Sequence, residues 1–295
     1  MFSFHHYLRV NGGGTVFLDG SWHLAANRDG RAEYEAGPRV TGARYFDIDD
    51  IAAKGAANPK GLPHMAPPPA LFAAAMDALG IADDDDVVVY GTEGCMATSR
   101  AYWTFRAMGH PPERVRLMQG SLAQWIDAGG PVETVPAVAI KADDLDVTAT
   151  PRYGTARDAA NVYNMDDVIE AVGGDGPRDV IIDARSAARF NAEAPEPRAG
   201  LRLGHMPGAV NLPFNKLLVE GDVSKFRMAE EMRDVFRTNG VDVDTEQKIV
   251  CSCGSGVTAC VVATALEICG RDPSNTFVYD GSWAEWGGEE ASPIV

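Results

Sequence analysis

An internal repeat is the feature that most restricts how this chain of 295 residues can fold. In each half, a short apolar run leads into a turn with glycine, then an apolar stretch of helical length, then a Gly-Ser pair before a tryptophan. The spacing agrees between the halves, because Trp125 follows Tyr90 by 35 positions and Trp286 follows Cys251 by 35 positions. Repetition on this scale predicts two similar structural units.

Short runs rich in β-branched residues predict the strands of both units. The four runs that define the pattern are Val16–Asp19, Val87–Tyr90, Val180–Asp183 and Ile249–Cys251. Because these runs alternate with amphipathic stretches, we expect α/β domains, each with a mainly parallel sheet flanked by helices. We assign residues 1–136 to an N-terminal domain, residues 137–160 to a linker and residues 161–295 to a C-terminal domain.

The charge of the chain restricts its partners. The formal net charge is −16, which argues against binding to nucleic acid or to an anionic membrane surface. No apolar run approaches the length of a membrane span, and Met1–Val10 contains two histidines and an arginine instead of a signal-peptide core. We therefore expect a cytoplasmic protein that binds neither nucleic acid nor membrane.

The cysteines do not form the pattern of a disulfide framework or a metal site. There are five of them, an odd number, with no CxxC pair and no histidines grouped nearby. We expect no metal and no cofactor. Cys251, Cys260 and Cys269 are interpreted as small buried hydrophobic residues, and Cys95 as a non-catalytic remnant.

Cys253 is the exception because of its surroundings. It follows the β-branched run that ends at Cys251, and an apolar stretch of helical length begins soon after it. Gly254 and Gly256 allow the backbone to curl around the sulfur. A strand, a tight turn and a helix start direct several backbone N–H groups to one place, which favours a bound anion. A cysteine in such a place is expected to react as the thiolate near neutral pH.

The turn Cys253-Gly254-Ser255-Gly256-Val257-Thr258 resembles the active-site loop of the rhodanese-type sulfurtransferases, in the form found in the 3-mercaptopyruvate sulfurtransferase branch. The thiosulfate branch typically carries basic residues where this chain has Gly254 and Ser255. In the repeat register, Thr92 falls opposite Cys253. The resemblance therefore implies a catalytic C-terminal domain and a non-catalytic N-terminal one.

Four arginines lie between positions 185 and 202 of this acidic chain: Arg185, Arg189, Arg198 and Arg202. A cationic patch in such a chain suggests a site for a small anion. We expect Arg185 to pair with the adjacent Asp183 as a structural contact, and Arg202 is left open. Arg189 and Arg198 are the candidates for binding a carboxylate, and the resemblance places the substrate arginines at the same two positions.

The resemblance covers nearly the whole chain and implies a sulfur transfer. Cys253 would take sulfur from 3-mercaptopyruvate, release pyruvate, and pass the sulfur from a persulfide to a thiol acceptor such as thioredoxin, or to cyanide. Ser255, His64 and Asp49 would form a proton relay. The residues expected to bind the donor are Arg189, Arg198, Gly254, Gly256, Val257 and Thr258.

Three other functions are compatible with parts of the pattern. A thiosulfate sulfurtransferase is the first alternative, although a neutral turn suits a compact dianion less well than a donor with a distant carboxylate. A non-catalytic rhodanese-like binding module is the second, although such modules usually lose the cysteine. A cysteine phosphatase is the third, but it needs an arginine six residues after the cysteine, where this chain has Ala259, so we do not expect phosphatase activity.

Overall fold

The computed structural model describes residues 14–25, 27–173 and 179–295, so the expectation for Met1–Val10 lies outside the described residues. The chain divides into two compact units. Among the described residues, the first contains those up to 53 together with 66–160 and 221–225, and the second contains those within 54–65, 161–220 and 226–295. In the described part of the chain, no helix is both long enough and apolar enough to span a bilayer.

The secondary structure follows the chain in this order. The β-strands are β1 (Thr15–Asp19), β2 (Arg39–Val40), β3 (Arg44–Tyr45), β4 (Asp86–Tyr90), β5 (Val115–Leu117), β6 (Val132–Glu133), β7 (Val162–Tyr163), β8 (Val180–Asp183), β9 (Val210–Asn211), β10 (Leu218–Val219), β11 (Asp222–Phe226), β12 (Ile249–Ser252) and β13 (Thr276–Tyr279). The α-helices are α1 (Gly30–Ala36), α2 (Pro69–Leu79), α3 (Thr98–Ala107), α4 (Leu122–Asp127), α5 (Met165–Gly173), α6 (Ala187–Phe190), α7 (Ala229–Thr238), α8 (Ala259–Ile268) and α9 (Ser282–Trp286). Short 3₁₀ turns cover Gly55–Ala57, Pro112–Arg114, Ala142–Asp144, Phe214–Leu217 and Pro273–Asn275.

The first unit is built on a parallel sheet with the strand order β3-β1-β4-β5. Its two long strands are in register from Thr15 opposite Asp86 to Asp19 opposite Tyr90. One face of the sheet packs into a core that includes Val88, Tyr90 and Trp125. The strands predicted in this half are confirmed, and β2 and β6 add a small antiparallel pair.

The second unit has a parallel sheet with the order β7-β13-β12-β8-β9. Strand β12 lies in the middle and is fully buried, as expected for a strand with helices on both faces. Its last residue, Ser252, is opposite Asp183 at the end of β8. Because parallel strands end at the same edge, the loops after β8 and β12 begin side by side.

The apolar stretch after the cysteine turn forms α8, as predicted. Its side chains are apolar on nearly all faces, and Val261, Val262, Ala265 and Leu266 are buried. A helix of this composition is stable only inside a core. Its N-terminus is therefore held at the carboxyl edge of the sheet.

The aspartates that end β1 and β8 have different partners. Asp183 accepts from Arg185 Nη2 at 2.6 Å, and both side chains are buried. The first unit has Ser21 at the place of Arg185, and Asp19 Oδ1 accepts from the Ser21 N–H at 3.0 Å. Without an arginine, burial raises the pKa of Asp19 from 3.8 to about 6.

We expect Asp19→Asn to stabilise the first unit above about pH 6. Because the folded-state pKa of Asp19 is raised, wild-type stability falls as the pH rises from about 4 through 6. The asparagine variant lacks this loss, so its advantage in unfolding free energy should grow by roughly 3 kcal/mol between pH 4 and pH 8. Urea unfolding at several pH values measures it, with exposed Asp127→Asn as the control. Parallel pH profiles for wild type and Asp19→Asn would contradict the assignment.

Candidate active site

Cys253 directly follows the central strand β12, and its residue is 2% exposed. The turn from Cys253 to Thr258 leads into α8 at Ala259, and Gly256 has a φ of +79°, in the left-handed region that favours glycine. The strand, turn and helix start are therefore arranged as the sequence predicted.

The backbone of this turn offers several N–H groups. Within the described residues, no acceptor is bonded to the N–H of Gly254, Ser255, Val257 or Thr258. N–H groups without acceptors at the start of a helix favour negative charge nearby. The turn can therefore stabilise an anionic sulfur.

Residues of α9 hold the turn in place. The Cys253 N–H donates to Ser282 Oγ at 3.1 Å, and Ser282 Oγ donates to the Tyr279 carbonyl at 2.8 Å. The N–H groups of Trp283 and Ala284 donate to the carbonyls of Cys253 and Gly254 at 3.0 and 2.9 Å. The role of Ser282 was not predicted, and the available signal was the Gly-Ser pair repeated before tryptophan in each half.

Arg189, carried by the short helix α6, reaches the turn. A Cβ atom placed on Gly254 would lie 2.8 Å from Arg189 Nη2, so the guanidinium rests against the glycine. Nε and Nη2 of the same guanidinium donate to the carboxylate of Glu196, which also accepts from Arg185 Nη1 at 2.8 Å. Arg189, a candidate substrate residue, thus lies beside Gly254, which directly follows Cys253.

Arg185 has the structural role that the sequence predicted. Its side chain is buried, pairs with Asp183, donates to the Gly204 carbonyl at 2.8 Å, and lies over the Trp283 ring at 4.0 Å. Arg202, which the sequence left open, is also structural. It donates to the carbonyls of Trp286, Gly287 and Glu289 at the end of α9.

His64 belongs to the second unit, although it lies in the first half of the sequence. It is 5% exposed, has a φ of +59°, and its Nε2 lies 3.3 Å from Arg198 Nη2. Because a guanidinium can only donate, Arg198 is the donor and His64 Nε2 the acceptor of any hydrogen bond between these two nitrogens. The structure therefore brings His64 to one of the two candidate substrate arginines.

The segment of residues 54–65 is fixed to the second unit by contacts that the sequence did not indicate. Lys60 Nζ donates to Glu285 Oε1 at 2.8 Å, and the Tyr279 hydroxyl donates to Glu285 Oε2 at 2.9 Å. Asn58 and Leu62 close the loop with two hydrogen bonds of 2.7 and 3.0 Å. These contacts hold the loop that presents His64.

The other two members of the predicted relay are in different units. Ser255 lies in the turn and is 7% exposed. Asp49 belongs to the first unit, where its Oδ2 accepts from Trp22 Nε1 at 2.7 Å. The relay of Ser255, His64 and Asp49 stays a prediction.

The remaining cysteines are buried. All five lie in the described part of the chain, and none forms a disulfide. Burial raises the pKa of the Cys95, Cys251 and Cys269 thiols, that of Cys251 well above its ordinary range. The Cys260 thiol donates to the Gly256 carbonyl at 3.2 Å. The interpretation of Cys251, Cys260 and Cys269 as buried residues is confirmed.

We expect the buried thiols to resist alkylation. Because burial raises the pKa of the Cys95, Cys251 and Cys269 thiols and keeps them mainly protonated, iodoacetamide at pH 8 should leave them unmodified in the native protein. Peptide mass mapping with and without urea measures the difference. Rapid modification of Cys251 in the native state would contradict this expectation.

The first unit has no thiol at the position that corresponds to Cys253. Thr92 occupies it, and the Thr92 hydroxyl contacts Arg28 Nη2 at 3.1 Å, His23 Nε2 at 3.1 Å and Glu33 Oε2 at 3.2 Å. Arg28 and Glu33 also form an ion pair. A polar network therefore occupies, in this half, the position of the candidate nucleophile.

Comparison with known proteins agrees with this geometry. Residues 18–128 and 164–289 match the rhodanese-like domain. The chain is 38% identical over 268 residues to the 3-mercaptopyruvate sulfurtransferase of Escherichia coli K12, covering 91% of this chain and 86% of that protein. It is 34% identical over 290 residues to the mitochondrial thiosulfate/3-mercaptopyruvate sulfurtransferase 1 of Arabidopsis thaliana, covering 94% of this chain and 73% of that protein.

A solved structure shows the same architecture. The crystal structure of SseA from Escherichia coli, described as a 3-mercaptopyruvate sulfotransferase with the rhodanese fold, matches with a TM-score of 0.71 and 33% identity. The match covers 92% of this chain and 93% of that one. The predicted fold of two α/β domains with mainly parallel sheets is confirmed. The chain belongs to the rhodanese family of sulfurtransferases, as a member with two rhodanese-like domains in tandem.

Proposed function

We propose that this protein is a 3-mercaptopyruvate sulfurtransferase in which Cys253 carries the transferred sulfur. The observation that supports this most is the turn itself, where N–H groups without acceptors follow Cys253 along the chain and Arg189 lies against Gly254. The turn suits an anionic sulfur, and the arginine suits the carboxylate of the donor.

The transfer begins with attack of the Cys253 thiolate on the sulfur of 3-mercaptopyruvate. An S–S bond forms while the C–S bond of the donor breaks, and the electron pair of the C–S bond passes into the enolate of pyruvate. Protonation of the enolate gives pyruvate, and the enzyme keeps a persulfide. The N–H groups of Gly254, Ser255, Val257 and Thr258 stabilise the negative charge on sulfur.

The remaining groups bind the donor and supply the proton. Arg189 and Arg198 hold the carboxylate and carbonyl of the donor. Ser255, His64 and Asp49 act as the relay that protonates the enolate. The 3.3 Å contact between Arg198 and His64 supports a shared position for donor binding and proton transfer.

A thiol acceptor such as thioredoxin, or cyanide, then removes the outer sulfur. The acceptor's thiolate attacks the terminal sulfur of the persulfide and restores the Cys253 thiolate. The reaction uses neither metal nor cofactor, and neither nucleic acid nor membrane takes part. The protein acts in the cytoplasm.

Comparison of kcat/KM for 3-mercaptopyruvate and thiosulfate tests the donor assignment. We expect 3-mercaptopyruvate to be preferred, because the turn itself carries no basic residue and the neighbouring Arg189 guanidinium is already paired with Glu196, which weakens its attraction for a compact dianion. Thiosulfate is the second candidate, supported by the Arabidopsis relative whose name includes both donors. A clear preference for thiosulfate would reverse the ranking.

Mass spectrometry after donor treatment separates an enzyme from a binding module. We expect one added sulfur atom, about 32 Da, on the peptide that contains Cys253. Release of that mass by a small thiol should accompany turnover. If no adduct forms with either donor, the binding-module alternative replaces the proposal.

A further inference from the structure

Glu196 is a buried carboxylate between two arginines of the second unit. Its side chain is 2% exposed. Oε1 accepts from Arg185 Nη1 at 2.8 Å and from Arg189 Nε at 3.1 Å, while Oε2 accepts from Arg189 Nη2. One carboxylate therefore connects a structural arginine with a candidate substrate arginine.

The Arg185 side of this connection is rigid. The Arg185 side chain is fully buried and held by Asp183 at the end of β8, by the Gly204 carbonyl and by the Trp283 ring. Charge-assisted bonds in such surroundings are short and strong. Glu196 is therefore anchored to the edge of the central sheet.

The Arg189 side is more open and faces the turn. The Arg189 side chain is 22% exposed, and its Nη2 lies against Gly254. A long arginine side chain in partial contact with solvent has several rotamers available. The two bonds to Glu196 select the one that brings the guanidinium to the residue after the nucleophile.

Glu196 also sets the charge that a donor meets. Asp183 and Glu196 balance Arg185 and Arg189, so these four linked side chains, of which all but Arg189 are buried, carry no net charge. A neutralised guanidinium can still donate to a carboxylate, but it attracts a dianion less than an unpaired arginine would. The pairing thus disfavours a compact dianionic donor.

We propose that Glu196 is a positioning residue that holds Arg189 at Gly254 and, by neutralising its charge, favours monoanionic donors over dianionic ones. This inference rests on the proposed transfer from 3-mercaptopyruvate. Glu196 acts through Arg189 and does not itself touch the reacting atoms.

Glu196→Gln tests both the positioning of Arg189 and the neutralisation of its charge, because it keeps the shape of the Glu196 side chain and removes the negative charge. We expect kcat/KM for 3-mercaptopyruvate to fall about 10-fold, mainly through KM, as Arg189 leaves its position. The ratio of kcat/KM for thiosulfate to that for 3-mercaptopyruvate should rise several-fold. Exposed Glu193→Gln is the matched control and should change neither quantity.

Glu196→Asp separates position from charge. It keeps the carboxylate but shortens its reach, so KM for 3-mercaptopyruvate should rise while the donor ratio stays near the wild-type value. This variant also keeps a negative partner for buried Arg185, which guards against loss of the fold. A donor ratio that changes equally in both variants would overturn the charge argument.

A double-mutant cycle tests whether Glu196 acts on kcat/KM through Arg189. In an Arg189→Ala background, Glu196→Gln should change kcat/KM by less than about 2-fold, because its target is gone. An undiminished effect in that background would show that Glu196 acts only on the fold and would overturn the proposal. If the wild type turns over 3-mercaptopyruvate but Glu196→Gln equals it with both donors, this inference alone fails. If the wild type does not use 3-mercaptopyruvate, the proposed function fails.

Discussion

Replacement of Cys253 by serine is expected to lower kcat for sulfur transfer by roughly 10⁴-fold or more, because no other group can form the persulfide. The hydroxyl of serine is protonated near neutral pH and cannot carry a second sulfur atom. The substitution keeps nearly the same volume at a residue that is 2% exposed, so the fold should be retained. Pyruvate release under steady-state conditions measures the loss, and circular dichroism checks the fold.

Cys95→Ala is the matched control for this experiment. Cys95 is a buried thiol of the first unit, in the turn that corresponds to that of Cys253. Its removal should leave kcat near that of the wild type and should not alter the mass adduct on the Cys253 peptide. Sustained turnover by Cys253→Ser, or loss of the adduct in Cys95→Ala, would show that the nucleophile has been assigned wrongly.

The second large effect is expected at Arg198. Removing its guanidinium by Arg198→Ala would take away the charge-assisted contact that we propose with the donor carboxylate, together with the contact to His64. We expect kcat/KM for 3-mercaptopyruvate to fall about 10²-fold, the order of one strong hydrogen-bonded ion pair. The loss with thiosulfate, which has no carboxylate, should be about ten times smaller.

Two further variants test whether the loss in Arg198→Ala requires the planar guanidinium and whether it is specific to this arginine. Arg198→Lys keeps the positive charge but loses the planar fork, so it should recover only part of the activity. Arg237→Ala removes an arginine whose side chain is 76% exposed, and it should have no measurable effect. An equal loss with both donors in Arg198→Ala would argue against carboxylate binding at this residue.

The strands, the helix and the turn could be predicted because each is determined by residues that are close together in the sequence. The β-branched runs gave β1, β4, β8 and β12 to within one residue at either end, and the apolar stretch after the turn gave α8. Glycines at 254 and 256 identified the turn, and the proximity of Asp183 identified Arg185 as structural. In each case the controlling interaction lies within a few positions along the chain.

The parts that could not be predicted depend on contacts between distant residues. Ser282 bonds to a residue 29 positions away, and Lys60 pairs with Glu285 across 225 positions. Glu196 could be suspected as a partner of the arginines, but no periodicity shows that one carboxylate serves two of them. Such contacts are fixed by the packing of loops at the edge of the sheet, which sequence pattern does not encode.

The second unit depends on the loop of residues 54–65, which precedes the linker in the sequence. A gene fragment that encodes only residues 161–295 would supply a whole sheet and the nucleophile, but it would omit Lys60 and His64, which belong to the same unit. Cutting the chain at the linker would therefore separate Cys253 from the segment that carries His64.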